Sequence, residues 1–287
     1  MKPGVSGKVG VSDSTTEVED VCAPGLVRRV AALLDRDPAT LREGDRLPAG
    51  WHVALFTGAT RQSQLRPDGV ADLGFTLPFD PRFPRLMLGG RRVTFAGDIT
   101  LGSTVRRRSH VTSIVSKQGR SGPFVIATVT HQIFGSGQDE PVLVEEQDYI
   151  LREAASGGAA VPPDVVPPGA VEGRRATIER EIVPDETMLF RYCAITFNTH
   201  RIHYDHPYAV GTERYPALVV NGGLPILLLM ELFRERADRH PNHMTSRNLG
   251  SLYCGRPMRL CAEPADDLWR LWAEDDLGRP AVEMTIR

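Results

Sequence analysis

The sequence predicts an α+β fold in which curved antiparallel sheet encloses helices, and three observations predict it. Residues 91–95, 104–115, 124–134 and 142–151 carry strand-forming side chains, and in one of these runs Val125, Ala127, Val129 and His131 alternate with their neighbours. A period of two argues for antiparallel sheet with one buried face. Residues 218–234, LVVNGGLPILLLMELFR, form a helix in which Leu224, Ile226, Leu227, Leu228, Leu229, Met230, Leu232 and Phe233 leave only Glu231 to interrupt an apolar surface. A helix apolar nearly all round has to be enclosed. Further strands are expected near 249–254, 258–262, 268–274 and 281–286, so each half pairs a helix-containing segment with a following run of strands. This is a structural repeat without obvious residue-level self-similarity.

In chain order, residues 1–23 mix Gly, Ser, Thr and acids without periodicity and predict a disordered tail. Leu26, Val30, Ala31, Leu33 and Leu34 recur at helical spacing, and Asp37-Pro38 ends that helix, because the residue before a proline disfavours the α region. A second helix is expected over 51–60. Turn chemistry separates the strands of the first half, at Ala96-Gly97-Asp98, Gly119-Arg120-Ser121-Gly122 and Gly135-Ser136-Gly137. Residues 155–173, ASGGAAVPPDVVPPGAVEG, offer neither period and predict a linker. The expected organisation is therefore a tail (1–23), a first domain (24–154), the linker (155–173) and a second domain (174–287). In the apolar helix Pro225 falls in the first turn, where its missing N–H is tolerated, and Asn221, Gly222 and Gly223 sit at the start. That start exposes free N–H groups at the positive end of the helix dipole.

Composition excludes several function classes. The 287 residues hold 34 Lys+Arg against 36 Asp+Glu, a formal net charge of -2, with 41% hydrophobic and 24% charged residues, an ordinary soluble composition. No broad basic field is present for nucleic acid. The four cysteines form no C-x-x-C pair, as expected of a reduced compartment. The first 30 residues lack an apolar signal region and no run reaches about 18 apolar residues, so a cytoplasmic protein without membrane contact is expected. There is no G-x-S-x-G elbow for a serine hydrolase.

Chemistry concentrates in residues 190–209, FRYCAITFNTHRIHYDHPYA, where Asn198, His200, Arg201, His203, Tyr204, Asp205 and His206 lie among Ile195, Phe197 and Ile202. So tight a polar cluster resembles a buried site. His200 and His203 have a spacing open to a metal, but no carboxylate or cysteine completes a recognisable set and no H-E-x-x-H is present, so no metal is expected. Arg106-Arg107-Arg108 could reach CoA phosphates, but residues alternate along a strand, so at most two share a face and a solvated strand is the plainer reading.

The segment FNTHRIHYDHPYA resembles the MaoC-like (R)-specific enoyl-CoA hydratases and dehydratases of the hot-dog fold. It is most similar to their two-hot-dog branch, which includes mesaconyl-CoA and itaconyl-CoA hydratases and type 2 hydroxyacyl-thioester dehydratases. The resemblance extends from about Leu26 to Arg287 and includes GGRRVTF, RRRSHVTSIVSKQGRSGPF and EEQDYILREA. It implies a double hot-dog, two curved antiparallel sheets each wrapping a helix, with the catalytic residues in the second half. The wider family's G-D-x-N-P-x-H signature, aligned on its histidine at His203, places Asn198 at the aspartate, His200 at the asparagine and Arg201 at the proline. Asn198 cannot be a general base, and Asp205 is the nearest carboxylate to orient an imidazole. The branch's helix entry V-H-G-P stands here as Val220-Asn221-Gly222-Gly223, which keeps the glycine that resembles the thioester-carbonyl donor, Gly222, and replaces a titratable histidine by Asn221.

Adding water to a C=C conjugated to a thioester requires a base for water, an acid for the α-carbon and a donor for the enolate oxygen. Histidine suits the first and backbone N–H groups at a helix start the third. The expected catalytic residues are His203 as base, Asn198 as its positioning partner and Gly222 as oxyanion donor. Arg201, Arg191, Asn221, Gly223 and His200 are expected at the substrate, Arg201 or Arg191 as the fixed cation for a carboxylate-bearing acyl group. A paired structural histidine is the plainer reading of His200. The resemblance implies reversible hydration of itaconyl-CoA or mesaconyl-CoA to citramalyl-CoA or methylmalyl-CoA. The acyl-CoA is the partner, CoA belongs to the substrate, no metal or redox cofactor is needed, and a homodimer is left open. The rivals are a 3-hydroxyacyl-thioester dehydratase on longer chains, a thioesterase, and a non-catalytic acyl-CoA binding protein.

Overall fold

Alternation in the first half and the enclosed helix in the second come together in one sheet. The computed structural model describes residues 15–70, 82–119, 122–153 and 176–287. The first half contributes β1 (Thr15–Val21), α1 (Pro24–Leu33), β2 (Arg85–Phe95), β3 (Thr104–Gly119), β4 (Gly122–Phe134) and β5 (Leu143–Arg152). The second contributes β6 (Ile178–Ile182), α2 (Glu186–Thr196), α3 (Gly223–Arg236), β7 (His243–Asn248), β8 (Met258–Glu263), β9 (Trp269–Glu274) and β10 (Pro280–Ile286). The strands form a ten-stranded sheet in the order β1-β3-β4-β5-β2-β7-β10-β9-β8-β6. Within each half the first strand is at the outer edge and the second at the seam, so the same topology occurs twice. The halves join where β2 pairs antiparallel with β7, from Gly90↔Arg247 to Thr94↔His243.

In the second half α3 lies on β8, β9 and β10. Leu224, Leu229 and Leu232 are fully buried in it, each contributing about 1.5–3 kcal/mol of apolar transfer. The one intruding carboxylate, Glu231, accepts a hydrogen bond from Trp51 Nε1 at 2.7 Å and pairs with Arg36 and Arg234. In the first half α1 packs against α2 and the 3-10 turns Pro38–Thr40 and Trp51–Ala54. No helix of α3's length lies on β2–β5 among the described residues, and the inner face of those strands lines a cavity instead.

Several expectations are corrected. Thr15–Val21, placed in the tail, pairs with β3 from Thr15↔His110 to Val21↔Thr104. The helix expected over 51–60 is a single turn, and Phe56, at φ 57, ends any continuation. Residues 249–254 form no strand beyond the isolated bridge Val219↔Tyr253, because the polar segment before them, β7, occupies the seam. The expected linker, 155–173, and residues 1–14 of the tail lie outside the described residues. No described helix is long and apolar enough to cross a membrane.

Candidate active site

The chain enters the site at the end of α2. Asp185 caps that helix by accepting from Met188 N at 2.7 Å, and Phe197, left-handed at φ 48, turns the chain out of it. The first-half loop around Asp68 then clamps the polar cluster. Arg201 N donates to Asp68 O at 2.9 Å, and Thr199 Oγ1 to Gly69 O at 2.6 Å. Position 69 requires glycine, since its φ is +82 and a Cβ there would lie 2.1 Å from Thr199 O. The 3-10 turn Arg201–His203 that follows delivers a buried imidazole.

His203 Nδ1 donates to Val219 O at 2.8 Å, which leaves Nε2 as the acceptor, with no hydrogen bond to it among the described residues. Burial pushes the ring's pKa down to about 4, against the backbone bond that favours protonation. Val219 N in turn donates to Ile202 O at 3.0 Å, so Val219 ties the histidine turn to the strand-like entry of α3, three residues before Gly222. At that entry Asn221 Oδ1 accepts from Gly223 N at 3.1 Å and Asn221 O from Leu224 N at 2.9 Å. Gly222 N is left without a partner among the described residues. His203, Asn221 and Gly222 therefore face a common cavity of about 1040 Å3, whose opposite wall is the inner face of β2–β5.

The structure sorts the sequence-predicted residues. His203, Asn198, His200, Asn221 and Gly222 line the cavity. Asn198 does not hold the His203 ring: its Oδ1 accepts from His200 N at 3.0 Å, and the orienting group is the Val219 carbonyl. His200 stands edge-to-face to His203, ring centroids 5.5 Å apart, and burial lowers its pKa. Arg201 is not available to substrate. Its guanidinium bonds Asp205 Oδ2 at 2.8 and 2.9 Å, reaches Pro67 O and stacks on Tyr208. That pair also removes Asp205 as an imidazole partner. Arg191 does not line the cavity, and Gly223 lies behind it, its amide used by Asn221 and its Cα face covered by the Tyr192 hydroxyl.

Sequence reasoning missed the far wall. The register Arg107↔Ile133, Ser109↔His131, His131↔Glu145 and Arg91↔Gln147 puts these side chains on one face. Arg91 Nη1 meets Glu145 Oε1 at 3.2 Å, and His52 Nε2 meets Glu145 Oε2 at 3.2 Å. Burial favours a protonated Glu145, but Arg91 and His52 outweigh it and hold the carboxyl well below its usual range. Burial pushes His131 down to about 4, and its Nδ1 lies 2.8 Å from Ser109 Oγ. Among the described residues, no cluster of three or more His, Cys, Asp or Glu could hold a metal ion.

Residues 50–254 match the model of the hydroxyacyl-thioester dehydratase type 2 family. The chain belongs to this family. A mesaconyl-C(4)-CoA hydratase of Chloroflexus aurantiacus is 37% identical over 273 residues, 95% of this chain and 94% of that one. The mitochondrial type 2 hydroxyacyl-thioester dehydratase of Schizosaccharomyces pombe is 32% identical over 102 residues, 34% of each chain. Among solved structures, Mycobacterium tuberculosis HtdX superposes with a TM-score of 0.65 at 17% identity, covering 96% of this chain and 99% of its own. A MaoC-like dehydratase of Phytophthora capsici gives 0.69 at 14% identity, with 96% and 95% covered. A further M. tuberculosis protein, described as a double hotdog, gives 0.58 at 13% identity, with 95% and 94% covered. The fold is a double hot-dog, and this member of the type 2 family is a hydro-lyase.

Proposed function

We propose that the protein reversibly hydrates the conjugated double bond of an acyl-CoA. The reading is carried by one juxtaposition: a buried His203 with Nδ1 fixed on Val219 O, facing the same cavity as the Gly222 amide at the start of α3, which has no partner among the described residues. Nε2 of His203 takes a proton from water as the water oxygen bonds to the β-carbon. The π electrons move toward the thioester carbonyl, and the resulting enolate oxygen receives the Gly222 N–H and the positive end of α3. The imidazolium then returns its proton to the α-carbon, so one water is added and the histidine is restored. A pKa near 4 keeps the ring neutral and able to accept a proton at physiological pH, though as a weaker base than an unperturbed imidazole, and makes the transient imidazolium a strong proton donor. The cycle asks for no metal or redox cofactor.

For the acyl group we favour a short branched dicarboxylyl thioester, itaconyl-CoA or mesaconyl-CoA giving citramalyl-CoA or methylmalyl-CoA, supported by the 37% identity to a mesaconyl-C(4)-CoA hydratase. A cavity of about 1040 Å3, at the top of the range for small-molecule sites, favours a second reading, dehydration of 3-hydroxyacyl thioesters on longer chains. Incubation with mesaconyl-C(4)-CoA, itaconyl-CoA and crotonyl-CoA, followed by absorbance of the conjugated thioester, tests the proposal. Loss of that absorbance without free thiol is expected. Thiol release with the double bond intact would contradict it and indicate thioester cleavage.

A further inference from the structure

The three consecutive arginines of β3 divide between two environments. Arg106 and Arg108 face outward and both pair with Glu17 of β1, at 2.8 and 3.3 Å. Arg107, between them, faces inward and lines the cavity. Its Nε is buried without a hydrogen-bond partner, and its guanidinium makes no ion pair among the described residues. The Phe56 ring, with its centroid 5.1 Å away, offers a partial cation–π contact.

The carboxylates near Arg107 are already engaged. Asp20 accepts from Phe56 N at 2.6 Å and Val21 N at 2.7 Å, and Glu145 is held by Arg91 and His52. Burial works against the Arg107 charge, lowering its pKa. A partly desolvated cation without a counter-ion is unfavourable by itself and is stabilised by an anion that shares the cavity. The neighbouring donors suit an oxygen anion as well. Gln147 Oε1 accepts from the Tyr149 hydroxyl at 2.5 Å, which leaves the Gln147 amide N–H2 for a ligand on the same wall. Two other arginines line the cavity: Arg91 is neutralised by Glu145, and Arg152, near the end of β5 with its Nε also buried without a hydrogen-bond partner among the described residues, lies over the Phe124 ring.

We propose that Arg107 binds a carboxylate on the acyl group and thereby selects carboxylate-bearing enoyl thioesters over plain ones. The inference rests on the hydratase reading and fills the role that Arg201 and Arg191, both outside the cavity, do not fill. A guanidinium fork matches a carboxylate bidentately, whereas an unsubstituted alkyl end leaves the cation unpaired.

The test compares the unaltered protein with Arg107→Met and Arg107→Lys on crotonyl-CoA, mesaconyl-C(4)-CoA and a longer enoyl-CoA with an ω-carboxylate. Arg107→Met is expected to lower kcat/KM by roughly 10²-fold on whichever carboxylate-bearing thioester is the better substrate, with crotonyl-CoA changed by less than about 3-fold. Arg107→Lys should recover part of the loss. Arg108→Met, on the outer face, should discriminate among none of them. Because Arg107 has no hydrogen-bond or ion-pair partner among the described residues and only the Phe56 contact to lose, the Tm of Arg107→Met should change little, whereas it would fall if the residue were structural. An equal loss on all three thioesters would overturn the inference and assign Arg107 to the CoA moiety, and no loss on the carboxylate-bearing ones would overturn it outright. If the unaltered protein hydrates none of the three, the hydratase reading itself fails and this inference with it.

Discussion

Gly222→Pro replaces the amide hydrogen that faces the site by a ring methylene. Gly222 has φ -60, close to the value a proline ring imposes, and its N–H has no partner among the described residues, so folding loses no hydrogen bond. The added Cβ would lie 2.9 Å from Asn248 Nδ2, the end of a side chain whose amide donates to Leu88 O at 2.9 Å. Gly222→Ala makes that same contact and keeps the N–H, so the ratio of the two variants reports the loss of the donor together with the ring methylene that takes its place. If the Gly222 amide stabilises the enolate oxygen, its loss should cost about 10²–10³ in kcat, or about 2.7–4 kcal/mol in the transition state. The assay is single-turnover hydration followed by thioester absorbance, with circular dichroism confirming that both variants fold. A proline variant within about 5-fold of the alanine variant would refute the oxyanion role, since that ratio is worth only ~1 kcal/mol.

Two further outcomes follow from the buried charges. His203 has its folded pKa lowered from 6.5 to about 4, so its contribution to stability is complete above pH 6.5 and is lost as pH falls toward 4, by at most roughly 3 kcal/mol. Activity should accordingly hold to below pH 5, and His203→Gln should flatten part of the acid loss in urea unfolding, with His131 supplying another part; an acid limb near pH 6.5 would contradict this. Glu231→Gln keeps an acceptor for Trp51 but leaves Arg234 without its carboxylate and Arg36 with Glu235 alone, at 3.9 Å, and should destabilise by about 2–3 kcal/mol in urea titration, less than a fully buried pair because Arg36 is part-exposed; a cost below about 1 kcal/mol would show that the pair is not needed.

How much of this was legible depended on whether the signal was local. The enclosure of α3 followed from its apolar surface, and β4 from its alternation. β1 and β7, TTEVEDV and HMTSRN, were not legible, because their place in the sheet comes from pairing with β3, β2 and β10 and not from hydrophobicity. The same division holds in the site. His203, Asn198, His200, Asn221 and Gly222 fall in two short segments, and sequence alone brings them to notice. The Val219 carbonyl carries no side-chain signal at all. Arg107 and Arg91 sit on strands, where a charged residue resembles a solvated one until the register shows which parity faces inward. Arg201 misled for the opposite reason: its place beside His203 in sequence says nothing of Asp205, four residues on, which takes its guanidinium.

The central claim is that the imidazole at position 203 moves the proton of the attacking water. Pre-steady-state hydration of the preferred enoyl-CoA by His203→Ala, alongside equilibrium binding of the same thioester, tests it most directly. The expected result is a rate lower by about 10²–10⁴-fold with binding nearly unchanged. Turnover close to that of the unaltered protein would contradict it.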